Sequence, residues 1–217
     1  MQKLKFGVIG CSKIAESSVI PAIIQSNYSE LKIIGSRSKQ KAESFAKKFH
    51  CSDFGSYQDV LNSDVDVVYI SLPVSMHEEW SIKAANAGKH VLCEKSSTTS
   101  YLSACKMVNA CKENNVRIME GFMFRFHPQH QKVLDILNSV PTDMNATMTL
   151  STSKIEEFSV DPHNHFLLMI DSFCMQVSGN SISNFNFEED LINQAKIMDA
   201  ARISHKENRS VHISEIN

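Results

Sequence analysis

Glycine is scarce in this chain. Only seven occur in 217 residues, and no two are adjacent. Their placement is therefore informative, and Gly7, Gly10 and Gly35 fall at or near the ends of the first two apolar runs. No apolar run approaches the roughly 18 residues of a membrane span. The formal net charge is only -2, so nothing electrostatic argues for a nucleic-acid or membrane partner. The six cysteines, at 11, 51, 93, 105, 111 and 174, form no C-x-x-C pair. Nine histidines are present, yet no spacing supports a zinc site, and no metal is expected. The opening MQKLKFGVIG lacks the long apolar region and cleavage site of a signal peptide. With scattered cysteines, that reads as a cytoplasmic protein in a reducing compartment. What remains is ordinary globular material, 42% hydrophobic and 21% charged, enough for one good core or two small domains.

The chain then alternates. Leu4 to Ile9, Leu31 to Ser36, Asp66 to Leu72, His90 to Cys93 and Val116 to Glu120 read as strands. Between them Ala15–Gln25, Lys39–Phe49, Tyr57–Asn62, Met76–Ala87 and Thr99–Asn114 read as helices. Pro21 is an irregularity that kinks or divides the first. This cadence predicts α/β architecture: a doubly wound parallel sheet over residues 1–120, with helices on both faces. After residue 120 the cadence changes. Pro128–Asn138, Asn164–Val177 and Glu188–Glu207 read as helices, Met144–Val160 as a β-hairpin around Ser153–Lys154, and Val211–Ile213 as a short strand. Phe166, Met169, Ile170 and Phe173 share one helical face, which must cover the sheet or a partner subunit. Met119, Phe122, Met123, Phe124 and Phe126 read as core rather than a substrate box, and Cys93 as a buried strand residue.

Ligands of doubly wound sheets bind at the carboxyl ends of the strands, so the chemistry belongs in those loops. "FGVIGCSKIAES" brings an apolar run into Gly10, with Ser12 and Ala15 where a dinucleotide turn carries glycines. Gly10 supplies the bend, Ala15 is an accepted substitute, and the following helix N-terminus suits a pyrophosphate. Ser12 offers a hydroxyl to a phosphate oxygen, but its Cβ costs room. A bare strand–helix turn is the alternative. The second strand ends in Ser36-Arg37, without the acid that usually binds the ribose of NAD. Arginine pairs with a 2′-phosphate, so NADP is the better fit and NAD the alternative; a solvated basic loop that includes Lys39 and Lys41 is the other reading. In "AGKHVLCEKSSTTS" a Glu-Lys pair follows a buried strand, which makes Lys95 a candidate to exchange a proton with a substrate oxygen, although chemistry alone favours an ordinary surface lysine.

Together "FGVIGCSKIA", "SRSKQKAESFAKKF", "SLPVSMHEEWSIKAANAGKHVLCEK" and "MEGFMFRFHPQ" closely resemble the Gfo/Idh/MocA oxidoreductases, in order and spacing. The resemblance implies a Rossmann domain that binds NAD(P). It matches Gly10, Ser12, Lys13 and Ile14 to the nucleotide turn and Ser36 and Arg37 to the ribose-end loop. It matches Leu72, Pro73 and His77 to the loop passing the nicotinamide ribose, and Glu94 and Lys95 to a Glu-Lys-Pro motif whose lysine is catalytic, with Glu94 also facing the cofactor. Arg125 and His127 become candidate substrate contacts. Ser96 departs from the motif's proline, which in the family carries a cis bond or tight turn. A glycine-rich run followed by an aspartate and a histidine or tyrosine, which opens the family's second domain, has no counterpart. Residues 121–217 are accordingly expected to be a reduced α+β remnant of that domain, helices plus a hairpin. The implied activity is hydride transfer to or from a sugar-like or polyol substrate, with a homo-oligomer as an option. The alternative is a relative that binds dinucleotide without turnover, as a binding or regulatory module.

Overall fold

The structure, a computed structural model, describes residues 2–139, 159, 161–180 and 185–216. Six strands form one sheet: β1 (Leu4–Ile9), β2 (Ser29–Gly35), β3 (Asp53–Gly55), β4 (Val67–Ile70), β5 (His90–Cys93) and β6 (Ile118–Glu120). They lie in the order β3-β2-β1-β4-β5-β6, and every pairing is parallel. This is the doubly wound α/β sheet expected from the cadence, and its strand order reverses between β1 and β4. The sequence reading missed β3. "DFG" is too short, and too poor in β-branched residues, to show a strand pattern.

Five helices complete the alternating part: α1 (Ile20–Gln25), α2 (Lys39–Lys48), α3 (Tyr57–Asn62), α4 (His77–Asn86) and α5 (Tyr101–Glu113). A π-helical turn, Ala15–Val19, leads into α1. Pro21 explains the division. It has no N–H to donate and would crowd the carbonyl four residues back, so the backbone widens before it. Ser56 and Asp59 form a capping box on α3, and Ser38 and Ser100 cap α2 and α5.

The strands are buried on both faces, as parallel strands between helices must be. All four residues of β4 are buried. Their alternation sends Val67 and Tyr69 to one side, among Phe6, Val8, Ile20, Ile23 and Leu92. Val68 and Ile70 go to the other, among Ile9, Val91, Met107, Val108 and Ile118.

Three further helices follow: α6 (Pro128–Ser139), α7 (His165–Val177) and α8 (Phe187–Glu207). α7 lies on the Tyr69 side. Its Met169, Ile170, Phe173 and Cys174 join that core, so this face covers the sheet. The Ser26 hydroxyl donates to Asp171 at 2.5 Å, tying α7 to the end of α1. α8 lies on the opposite side, adding Leu191 and Ala195 to the second core. Its Glu188 takes a two-pronged bond from Arg117, at 2.7 and 2.9 Å, and one from the Ile118 amide. Its Asp199 accepts the Tyr101 amide at 2.7 Å. The expected strand at Val211–Ile213 is instead a 3₁₀ turn, Ile213–Glu215. Local bonds outcompete strand pairing there: Glu215 accepts the His212 amide at 2.7 Å and pairs with Arg209 at 2.9 Å. The expected hairpin falls on residues that, Ser159 apart, lie outside the described ones.

Candidate active site

A groove of about 410 Å³ opens where the strand order reverses, within the roughly 300–1,000 Å³ usual for ligand sites. Gly10, Cys11 and Ser12 line it from the end of β1, Ser36, Arg37 and Ser38 from the end of β2, and Ser71, Leu72 and Pro73 from the end of β4. Lys41 and Tyr57 close its sides. None of these residues is acidic, and Arg37 is exposed, with no ion-pair partner among the described residues.

Gly10 is where the turn demands glycine. Its φ is +105°, and a Cβ there would collide with the Ser71 carbonyl of the neighbouring loop. Ser12 resolves its apparent misfit differently from the sequence expectation. Its hydroxyl bonds the Ser71 hydroxyl and accepts the Ala15 amide at 3.1 Å. The serine thus joins the ends of β1 and β4 and satisfies one free amide of the following helical turn. Lys13 is exposed and Ile14 half-buried. Burial pushes the Cys11 thiol up, against a lowering contact from Ser36, which leaves it a neutral wall of the groove.

The Glu94–Ser97 loop is fixed by buried side chains. Glu94 accepts the Tyr69 hydroxyl at 2.7 Å and the Lys95 amide at 3.3 Å. Burial raises the Glu94 carboxyl from its ordinary value, against those bonds. Burial, then the Glu94 charge, holds the Tyr69 phenol protonated far above its usual range. Glu120, at the end of β6, accepts the Ser97 amide at 2.8 Å. His77 is 1% exposed, with Nδ1 3.1 Å from the Ser96 carbonyl and Nε2 2.8 Å from the Leu72 carbonyl. The Lys95–Ser96 peptide bond is cis. Lys95 itself is exposed, and its ammonium has no hydrogen bond or ion pair among the described residues.

Several expected roles change in this geometry. Glu94, read as the residue that orients Lys95, accepts the Lys95 backbone amide. His77 is sealed in, with both ring nitrogens engaged, and has no polar atom left to offer a cofactor. Arg125 pairs with Asp190 at 3.1 Å and lies over Phe122, Phe124 and Phe185, which makes it a strut between the 3₁₀ turn Met123–Phe126 and α8. His127 stands 6.0 Å from His163 and 6.4 Å from His165, ring to ring, beside α7. The sequence reading missed Tyr57, Lys41, Ser71, Tyr69 and Glu120. Of these, Lys41 alone had a visible signal, in the basic run after Arg37.

Glu120 gives a pH test. Burial raises its carboxyl above the ordinary glutamate value, against the Ser97 bonds that lower it. The folded chain therefore keeps a proton there over a range where the unfolded chain has lost it. That contribution to stability is present below the ordinary glutamate range and declines as pH rises to the raised value. Glu120→Gln keeps an acceptor for Ser97 and removes the ionisation. In paired thermal melts from about pH 4 to about pH 7, the variant should gain on the wild type as pH rises. A pH-independent difference would refute this.

A family model described as an oxidoreductase family with an NAD-binding Rossmann fold, GFO_IDH_MocA, matches residues 4–122. The chain belongs to the Gfo/Idh/MocA oxidoreductase family. Over 136 residues it is 39% identical to a dTDP-3,4-didehydro-2,6-dideoxy-alpha-D-glucose 3-reductase of Actinomadura kijaniata, covering 62% of this chain and 41% of the relative. It is 32% identical over 184 residues to an NADP(+) D-xylose 1-dehydrogenase of Haloferax volcanii, covering 81% of this chain and 55% of the relative. A solved 3-ketoreductase from Actinomadura kijaniata, in complex with TDP-benzene and NADP, superposes with a TM-score of 0.61 at 38% identity. That match covers 63% of this chain and 44% of the ketoreductase. The chain thus spans about two fifths to just over half the length of these family members. Among the described residues no group of histidine, cysteine and carboxylate side chains is placed to hold a metal, and no helix is long and apolar enough to cross a membrane.

Proposed function

We propose that this Gfo/Idh/MocA chain is an NADP-preferring oxidoreductase acting on the CH–OH or carbonyl group of a sugar-like or polyol substrate. The observation that carries the reading is Lys95, exposed and unpaired among the described residues, on a loop whose backbone is held by Glu94, His77 and Glu120. Relatives of this chain reduce a keto-sugar nucleotide or oxidise D-xylose by name. Bound in the groove, NADPH would supply the hydride for reduction, and NADP⁺ would accept it in oxidation, at the nicotinamide ring.

The chain's residues divide the remaining work. Gly10 lets backbone approach a pyrophosphate, and the helical turn after Ser12 presents amide dipoles to it. Arg37 and Lys41 offer cations at the end of β2, where a 2′-phosphate would need them. In the reductive direction Lys95 donates a proton to the substrate oxygen as its carbon gains hydride. In the oxidative direction it takes that proton back. With no partner among the described residues, its ammonium can approach a substrate oxygen without first breaking an ion pair to them.

Fluorescence titration with NADPH and NADH tests the cofactor assignment. The wild type should bind NADPH the tighter. Arg37→Ala should lose about tenfold in NADPH affinity, the loss of one charge-assisted contact of about 1.5 kcal/mol, and leave NADH affinity nearly unchanged. An unaltered NADPH/NADH ratio would refute the role of Arg37, and no binding of either cofactor would remove the whole reading.

A further inference from the structure

Two loops meet at the candidate site, and one buried side chain touches both. Leu72 ends the β4 loop and lines the groove, while Ser96 directly follows Lys95. His77, the first residue of α4, lies between their carbonyls at 2.8 and 3.1 Å. Among the described residues, no other side chain hydrogen-bonds the backbone of both loops. The other anchors of the lysine loop run down to the sheet. Glu94, at the end of β5, holds the Lys95 amide, and Glu120, at the end of β6, holds the Ser97 amide. The contact through Ser96 instead leads sideways, to the wall of the groove.

At 1% exposure the ring cannot reach substrate or cofactor, so it acts through the two carbonyls or not at all. Each ring nitrogen lies within hydrogen-bond distance of one carbonyl, so one rigid ring spans the two loops. An alkyl side chain would serve neither. A glutamine amide mimics the Nε2 position and reaches the Leu72 side alone.

We propose that His77 is a positioning residue that couples occupancy of the groove to the order of the Lys95 loop. A ligand against Leu72 and Pro73 steadies that carbonyl, the ring follows it, and the ring steadies Ser96 beside Lys95. This rests on the reading of the groove as a dinucleotide site, so the test measures ligand binding separately.

The probe is 2′-phospho-ADP-ribose, which fits the groove's chemistry but carries no nicotinamide to approach Lys95. Calorimetry reads its binding to the full chain, and residue-level amide exchange by NMR reads Ser97. In the wild type, saturating probe should slow Ser97 exchange about fivefold, the effect of steadying about one hydrogen bond. His77→Leu and His77→Gln should still bind the probe yet show no slowing. If His77→Leu fails to fold, the glutamine variant carries the test. Slowing that persists in a variant that binds overturns the proposal, as does binding to the wild type without slowing. No binding to the wild type removes the dinucleotide reading and the proposal together.

Discussion

Lys95→Ala is expected to lower turnover by roughly 10²- to 10⁴-fold, the usual contribution of a positioned proton donor, with little change in NADPH affinity. The asymmetry follows from the loop. Its backbone is fixed by Glu94 at the Lys95 amide, His77 at the Ser96 carbonyl and Glu120 at the Ser97 amide. Removing the side chain beyond Cβ leaves those three bonds in place. Nothing in the groove lining depends on the ammonium, because the lining runs from Gly10 to Pro73 and does not include Lys95. Lys95→Arg should not restore turnover, because a guanidinium does not release its proton near neutral pH. The measurement is steady-state oxidation or reduction across a panel of sugars, polyols and keto-sugars, beside an NADPH titration of each variant. Turnover unchanged in Lys95→Ala would sink the catalytic assignment. Tight NADPH binding with no turnover in the wild type across the panel would favour the non-catalytic binding module.

Phe173→Ala should destabilise the fold by about 3–5 kcal/mol, as expected for deleting a fully buried phenyl ring. Phe173 is 0% exposed on α7 and sits 5.6 Å, ring to ring, from Phe187 at the start of α8. It belongs to the same buried core as Phe6, Val8, Tyr69 and Leu92, from three strands of the sheet. The removed ring therefore leaves a cavity in the same core that supports β4 and β5, and through them the Tyr69–Glu94 bond. Urea unfolding should show one transition with a lower midpoint and an unchanged slope. A loss under about 1 kcal/mol would show instead that the site collapses freely, and that α7 is not integral to this core.

The legible part of this protein was local. Buried strands such as "DVVYISL" and amphipathic stretches such as Lys39–Phe49 declare themselves by period, because burial on one face or two is written into consecutive residues. Helix limits at Tyr57–Asn62 and strand limits at His90–Cys93 agree with the structure because Ser56 caps the one and a glycine turn and a Glu-Lys pair bracket the other. The three-residue β3 carried too little pattern to see, and the Val211–Ile213 stretch had the composition of a strand but no partner strand among the described residues.

The sequence by itself determined the doubly wound sheet, the glycine at position 10, the Ser-Arg pair and the lysine loop. Each depends on residue types a few positions apart, or on one backbone angle that only glycine accepts readily. Tertiary structure alone decided what their neighbours do. Ser12 meets Ser71, 59 residues away, because β1 and β4 are adjacent in the sheet. His77 turns inward between two loops instead of outward to a ligand, and Glu120 reaches back to Ser97 from the next strand. Arg125 goes to Asp190 because α8 packs beside it. Such bonds join residues that strand order brings together, and strand order is a property of the whole packed chain.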